Sequence, residues 1–113
     1  MRFLYGILTI LFIWGCAGKS PVREGVFHVL GNNEMCKKTI EEACKMKGVS
    51  SADWHMDSKL LTLKVDTTLV TFDEVLQSVA SVGYDNEKFF GNDYAYGALP
   101  ESCQYERLPH EMK

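Results

Sequence analysis

Apolar and polar residues alternate along the chain with two different periods, which predict two kinds of element. Residues 26–30, VFHVL, form a β-prone run bounded by glycines and predict a strand. Residues 52–57 and 59–66 alternate between apolar and polar positions on either side of Asp57-Ser58-Lys59. Two alternating runs joined by a short polar turn predict a β-hairpin. A short last strand is expected around residues 84–89.

The segment between the first strand and the hairpin has a helical period instead. Its apolar positions recur at i, i+4, i+7 and i+8, which places them on one stripe of a helix: Cys36, Ile40, Ala43 and Cys44. Asn32 or Asn33 can cap the start of this helix, and Gly48 is expected to end it.

A second helix follows the hairpin. Thr71 and Glu74 have the spacing of a capping box, and Gly83 is expected to close the helix. The element order is therefore β-α-β-β-α-β, which predicts an α+β fold of the ferredoxin-like type, with two helices on one antiparallel sheet.

The first residues have the character of an export signal. Arg2 precedes an uncharged apolar run over residues 3–14, which is shorter than the ~20 residues that a membrane-spanning helix needs. The sequence IWGC that ends this segment resembles the lipobox of bacterial lipoproteins. This resemblance implies a signal peptide over residues 1–15, a lipid on Cys16 and a tether over residues 16–24. An ordinary signal peptide with an incidental cysteine is the alternative.

Composition limits the classes of function. The chain has 113 residues with 46% hydrophobic content, which allows one domain, and its net charge of −3 argues against a nucleic-acid surface. No paired acids and no Ser-His arrangement occur at the spacing of a hydrolytic site, so we do not expect an enzyme.

The region over residues 25–90 resembles the heavy-metal-associated domain, the family of copper chaperones and mercuric-ion carriers. The likeness rests on Cys36 followed by Ile40-Glu41, on KGV at residues 47–49 and on VGYD at residues 82–85. The family implies a Cu(I)-type soft metal held by two cysteines three positions apart, and a metal-transporting membrane protein as partner. In this register Asn33 occupies the position of the first cysteine, and Gly31 that of the methionine that often precedes it.

Cys36 is the first candidate ligand. Soft metals prefer thiolates to the amide oxygen of Asn33, and a position in the first turn of a helix beside Lys37 and Lys38 should lower the thiol pKa. The second candidate is Cys103, in a tail over residues 91–113 that four apolar and aromatic side chains could pack against the domain: Tyr94, Tyr96, Leu99 and Tyr105.

Alternatives stay open at this point. The tail could be frayed, and Cys36 of a second molecule could then complete the site. The chain could also be a metal-free interaction module, or a thiol redox protein that uses Cys36 and Cys103. Cys44 is expected in the core, and His28 and His55 on the sheet faces rather than at a metal.

Overall fold

The computed structural model of the protein describes residues 21–107. No helix within that range is long and apolar enough to cross a bilayer. The predicted signal and Cys16 lie outside the described residues. The elements in chain order are β1 (Val22–His28), α1 (Glu34–Ala43), β2 (Val49–His55), β3 (Leu60–Asp66), α2 (Phe72–Ser81), the short helix α3 (Asp93–Gly97) and a 3-10 turn (Glu101–Cys103).

The three strands form one antiparallel sheet in the order β1-β3-β2. The central strand β3 alternates as predicted: Leu61, Leu63 and Val65 are fully buried, whereas Lys64 is exposed. The hairpin of β2 and β3 is confirmed. Strand β1 begins four residues before the predicted start at Val26 and ends two residues before the predicted end.

The last predicted strand is wrong. Among the described residues this part of the chain makes one isolated bridge, between Val29 and Asn86. The side chain of Asn86 closes a turn, because its Oδ1 accepts hydrogen bonds from the backbone N–H groups of Lys88 and Phe89, both at 3.0 Å. Residues 83–86 are all buried, without the alternation of a half-exposed strand.

The helix ends match the sequence signals closely. Asn33 is the N-cap of α1, and Thr71 forms the predicted capping box with Glu74 at the start of α2. Gly83, with φ of 105°, turns the chain after α2 as expected. Helix α1 ends at Ala43, earlier than predicted, and Gly48 instead makes the turn into β2 with φ of 100°.

The tail packs against the domain. Cys103 and Tyr105 are 1% and 3% exposed and belong to the main apolar cluster. Tyr96 and Leu99 are partly buried against that cluster, as expected. Tyr94 is 88% exposed, so the expectation that it packs on the domain is wrong.

Candidate metal centre

The turn between β1 and α1 places Cys36 in the first turn of the helix. The Oδ1 atom of Asn33 accepts hydrogen bonds from the backbone N–H groups of Met35 at 3.0 Å and Cys36 at 3.1 Å, which fixes the start of α1. The N–H of Asn32 points at the Cys36 sulfur, 3.4 Å from Sγ. The thiol therefore faces the N–H groups of a helix N-terminus, which favour a negative charge.

Asn33 and Asn32 also hold the tail. The Nδ2 atoms of both side chains donate to the carbonyl oxygen of Ser102, at 3.1 Å from Asn33 and 3.2 Å from Asn32. Ser102 directly precedes Cys103 in the 3-10 turn. The residue in the place of the first cysteine thus caps the helix and binds the segment that carries another cysteine.

Cys36 and Cys103 meet in the interior. Their Sγ atoms lie 2.6 Å apart in a hydrogen bond, although the residues are 67 positions apart in the chain. Both residues are buried, and the Cys103 sulfur also lies 3.6 Å from Asn33 Oδ1. In the described part of the chain no group of three or more His, Cys, Asp or Glu side chains could hold a metal ion. The ligands that this centre can provide to a metal ion are therefore the two sulfurs of Cys36 and Cys103.

The two thiols differ in acidity. Burial raises the pKa of Cys36, but hydrogen bonds from Cys103 and from the backbone of Asn32 and Asn33 outweigh it, so the pKa is lowered. Burial and the hydrogen bond with Cys36 raise the pKa of Cys103. The pair therefore favours a thiolate on Cys36 and a proton on Cys103. A metal ion that binds both sulfurs must displace that proton.

Lys37, which the sequence led us to expect beside the Cys36 thiol, is engaged by acceptors of α1 and β2. Its Nζ is 2.8 Å from Glu41 Oε2, 3.0 Å from Asp53 Oδ1 and 2.7 Å from the carbonyl oxygen of Trp54. Its ammonium group is thus used to join α1 to β2. The main causes of the lowered pKa of Cys36 are hydrogen bonds.

Tyr84 lies close to both sulfurs. It is fully buried, and within the described residues its hydroxyl has no partner at the distance and angle of a hydrogen bond. Burial, followed by the negative charges of Cys36 and Cys103, raises its pKa, so the hydroxyl keeps its proton. Sequence reasoning missed this residue as part of the centre, although it belongs to the VGYD segment that signalled the resemblance.

Gly31 has a steric reason to lack a side chain. A Cβ atom there would lie 2.9 Å from the ring of Trp54. The indole is itself fixed, because its Nε1 donates to the carbonyl oxygen of Val29 at 2.9 Å. The carbonyl oxygen of Gly31 accepts a hydrogen bond from Lys59 Nζ at 2.6 Å. A methionine at this position would displace the Trp54 ring.

The remaining sequence candidates lie away from the two sulfurs. Cys44 is buried, as predicted, and burial followed by the charge of Glu41 raises its pKa to about 12. The side chains of His28 and His55 are 67% and 55% exposed on the sheet, as expected.

Comparisons with known proteins agree on the fold. No family model and no curated protein matches the chain. Among solved structures, the chain is similar to a CopZ metallochaperone at 24% identity, with a TM-score of 0.55 over 57% of this chain and 98% of the other. It is also similar to a "putative copper-ion-binding protein" of Bacillus anthracis str. Ames, at 20% identity, with a TM-score of 0.56 over 58% of this chain and 96% of the other. The predicted α+β ferredoxin-like fold is confirmed.

Proposed function

We propose that the protein is a carrier of a soft metal ion, which the sulfurs of Cys36 and Cys103 bind together. Cu(I) is the metal that we favour. The observation that carries the proposal is the contact of these two sulfurs, one from the N-terminus of α1 and one from the docked tail. The likeness of the fold to a metallochaperone and to a copper-ion-binding protein supports the same class of function.

A two-sulfur site of this kind needs only a small rearrangement. With metal–sulfur bonds of ~2.3 Å, as zinc thiolates have, two sulfurs on opposite sides of one ion lie about 4.6 Å apart. The sulfurs of Cys36 and Cys103, now 2.6 Å apart, would have to separate by about 2 Å. Rotation of the Cys103 side chain together with a shift of its turn would have to supply this movement. The Tyr84 hydroxyl would then be a donor for the buried thiolates.

The other ways to complete the site are less well supported. The Asn33 oxygen is a hard donor, and the backbone N–H groups at the start of α1 already use it. Cys36 of a second molecule could reach the ion only after the tail had moved, because Cys36 is 0% exposed. Both arguments favour Cys103 as the second ligand.

The proposal extends to the location of the protein. We infer an exported lipoprotein that is anchored to a membrane through Cys16, faces the periplasm or the cell exterior, and exchanges its ion with a metal-transporting membrane protein. The support is the apolar run over residues 3–14 and the IWGC sequence at its end.

Thiol redox chemistry is the second candidate function, and the sulfur contact favours it as well. In exchange with an acceptor disulfide, the Cys36 thiolate would attack one acceptor sulfur and release the other as a thiolate, and Cys103 would then give up its proton and attack Cys36 Sγ. The products would be a Cys36–Cys103 disulfide and an acceptor reduced by two electrons to a dithiol. The third candidate, a metal-free interaction module, has no such contact in its favour.

A Cu(I) competition titration of the reduced protein tests the metal proposal. Cys36→Ser and Cys103→Ser should each lose tight binding, whereas Cys44→Ser, the matched control, should keep it. Asn33→Cys in the Cys103→Ser chain returns a second thiol to the same turn and should restore binding. Binding by Cys36→Ser as tight as that of the unaltered protein would refute the proposal.

A further inference from the structure

The tail is held most firmly just after Cys103, by the side chain of Tyr105. Its hydroxyl accepts a hydrogen bond from the backbone N–H of Asp85 at 2.7 Å and donates one to the carbonyl oxygen of Gly83 at 2.6 Å. Its ring stacks on Tyr84 at 5.8 Å between centroids and meets the edge of Tyr96 at 5.0 Å. Tyr105 is thereby anchored to residues 83–85, the start of the loop that follows α2.

Arg107 holds the same loop through a buried carboxylate. Asp85 is 0% exposed, and both its oxygens accept hydrogen bonds from Arg107, at 2.8 Å and 3.2 Å. Arg107 also contacts Asp93 Oδ1 at 2.7 Å and donates to the carbonyl oxygen of Gly91 at 2.7 Å. These charge-assisted hydrogen bonds are the strong type, and removal of Arg107 would leave the buried Asp85 carboxylate without this counter-charge.

The turn that carries Cys103 is held less firmly by its own contacts. Apart from the contact of Cys103 Sγ with Cys36 Sγ and its approach to Asn33 Oδ1, this turn is linked to the start of α1 by two solvent-exposed hydrogen bonds, from Asn32 and Asn33 to Ser102. Exposed neutral hydrogen bonds contribute little net free energy. The position of Cys103 therefore depends on its own burial and on the two residues after it that bind the domain, Tyr105 and Arg107.

We propose that Tyr105 and Arg107 are positioning residues that hold Cys103 against Cys36, and that the rate at which they detach sets how fast the centre releases its ion. We name Tyr105, Arg107 and their acceptor Asp85 the latch. This inference rests on the proposed function where it concerns ion release. The contact between the sulfurs of Cys36 and Cys103, which the latch also explains, does not depend on a metal.

The matched experiment removes both charges of the ion pair between Arg107 and Asp85. Asp93 also loses its contact with Arg107, but its side chain is 74% exposed. Asp85→Asn/Arg107→Gln deletes both charges and keeps an oxygen that can accept the hydrogen bond from the N–H of Gly91, which Asp85 Oδ1 now accepts at 2.6 Å. Tyr105→Phe is the second variant, since it removes the hydroxyl alone. Lys88→Gln is the control, because it deletes an exposed ion pair with Asp73 that involves none of the latch residues.

Two rates are measured on the full chain. In the reduced, metal-free protein, iodoacetamide should alkylate Cys103 roughly tenfold faster or more in both latch variants, because protection follows the free energy of local opening. Cys44 should stay protected in the same samples. In protein loaded with Cu(I), transfer of the ion to excess bathocuproine disulfonate should accelerate in the same two variants.

The outcomes are distinct. Alkylation and transfer rates equal to those of Lys88→Gln would overturn the inference. Equal acceleration at Cys44 and Cys103 would also overturn it, because it would mean general unfolding. A chain that binds no Cu(I) while the latch variants still expose Cys103 selectively would refute the proposed function and leave the latch standing.

Discussion

Comparison of Asn33→Ala with Asn32→Ala should separate the two roles of Asn33, which are to cap α1 and to bind the tail. Asn33 and Asn32 donate to the same carbonyl oxygen of Ser102 at nearly equal distances, 3.1 Å and 3.2 Å. Asn33 additionally caps α1 through its Oδ1 atom. Asn32→Ala is therefore the matched control: it removes the contact with the tail and leaves the cap.

The expected costs come from these contacts. A hydrogen bond of this kind contributes ~0.5–1.5 kcal/mol, and exposure puts each amide contact at the low end, about 0.5 kcal/mol. Loss of an N-cap typically costs ~1 kcal/mol. We therefore expect Asn32→Ala to lower the free energy of unfolding by about 0.5 kcal/mol and Asn33→Ala by about 1.5 kcal/mol. Asn33→Asp keeps an acceptor at the cap and should stay within about 0.5 kcal/mol of the unaltered protein.

Urea unfolding of the metal-free, reduced protein, monitored by tryptophan fluorescence and circular dichroism, measures the three differences. Coincidence of the two signals checks that one transition is observed. Equal costs for Asn32→Ala and Asn33→Ala would refute the assignment of Asn33 as the cap. A cost for Asn33→Asp as large as that for Asn33→Ala would refute the separation of the cap from the tail contact.

Two further predictions concern the thiols. Because hydrogen bonds lower the pKa of Cys36, the ultraviolet absorbance of thiolates should show one thiol that titrates below the ordinary value near 9. This titration should be absent in Cys36→Ser, and Cys44 should ionise only at about pH 12. Absence of the low titration from the unaltered protein would contradict the assignment. Cys16→Ser should move the protein from the membrane to the soluble exported fraction, and unchanged retention of this variant, with no acyl chain on the unaltered protein, would contradict the anchor.

Local signals in the sequence were sufficient for most of the fold. The capping box at Thr71 and the alternation around Leu63 depend on residues a few positions apart, and both are confirmed. The last strand was predicted wrongly: of residues 84–89 only Tyr84 and Phe89 favour a strand, and the Asn86 side chain closes a turn while the Asp85 carboxylate binds Arg107. Such contacts depend on tertiary structure, which periodicity does not contain.

The candidate centre shows the same division. The sequence signals for the start of α1 were sufficient to place Cys36 in its first turn. The contact with Cys103 joins residues 67 positions apart, so the sequence offered it only as one of several ways to complete the site. Arg107 was not singled out, because an arginine near a chain end has no sequence signal until its buried acceptor is known. Tyr105 was noted only as an aromatic residue able to pack, without its two hydrogen bonds.

The central claim is that Cys36 and Cys103 of one molecule share one soft metal ion. Native mass spectrometry of the full chain, reduced and then loaded with one equivalent of Cu(I), tests it most directly. The account predicts one copper per single chain, and loss of that species in Cys103→Ser. Copper bound to a dimer of chains, unchanged by Cys103→Ser and abolished by Cys36→Ser, would contradict it, as would a chain that acquires no copper at all.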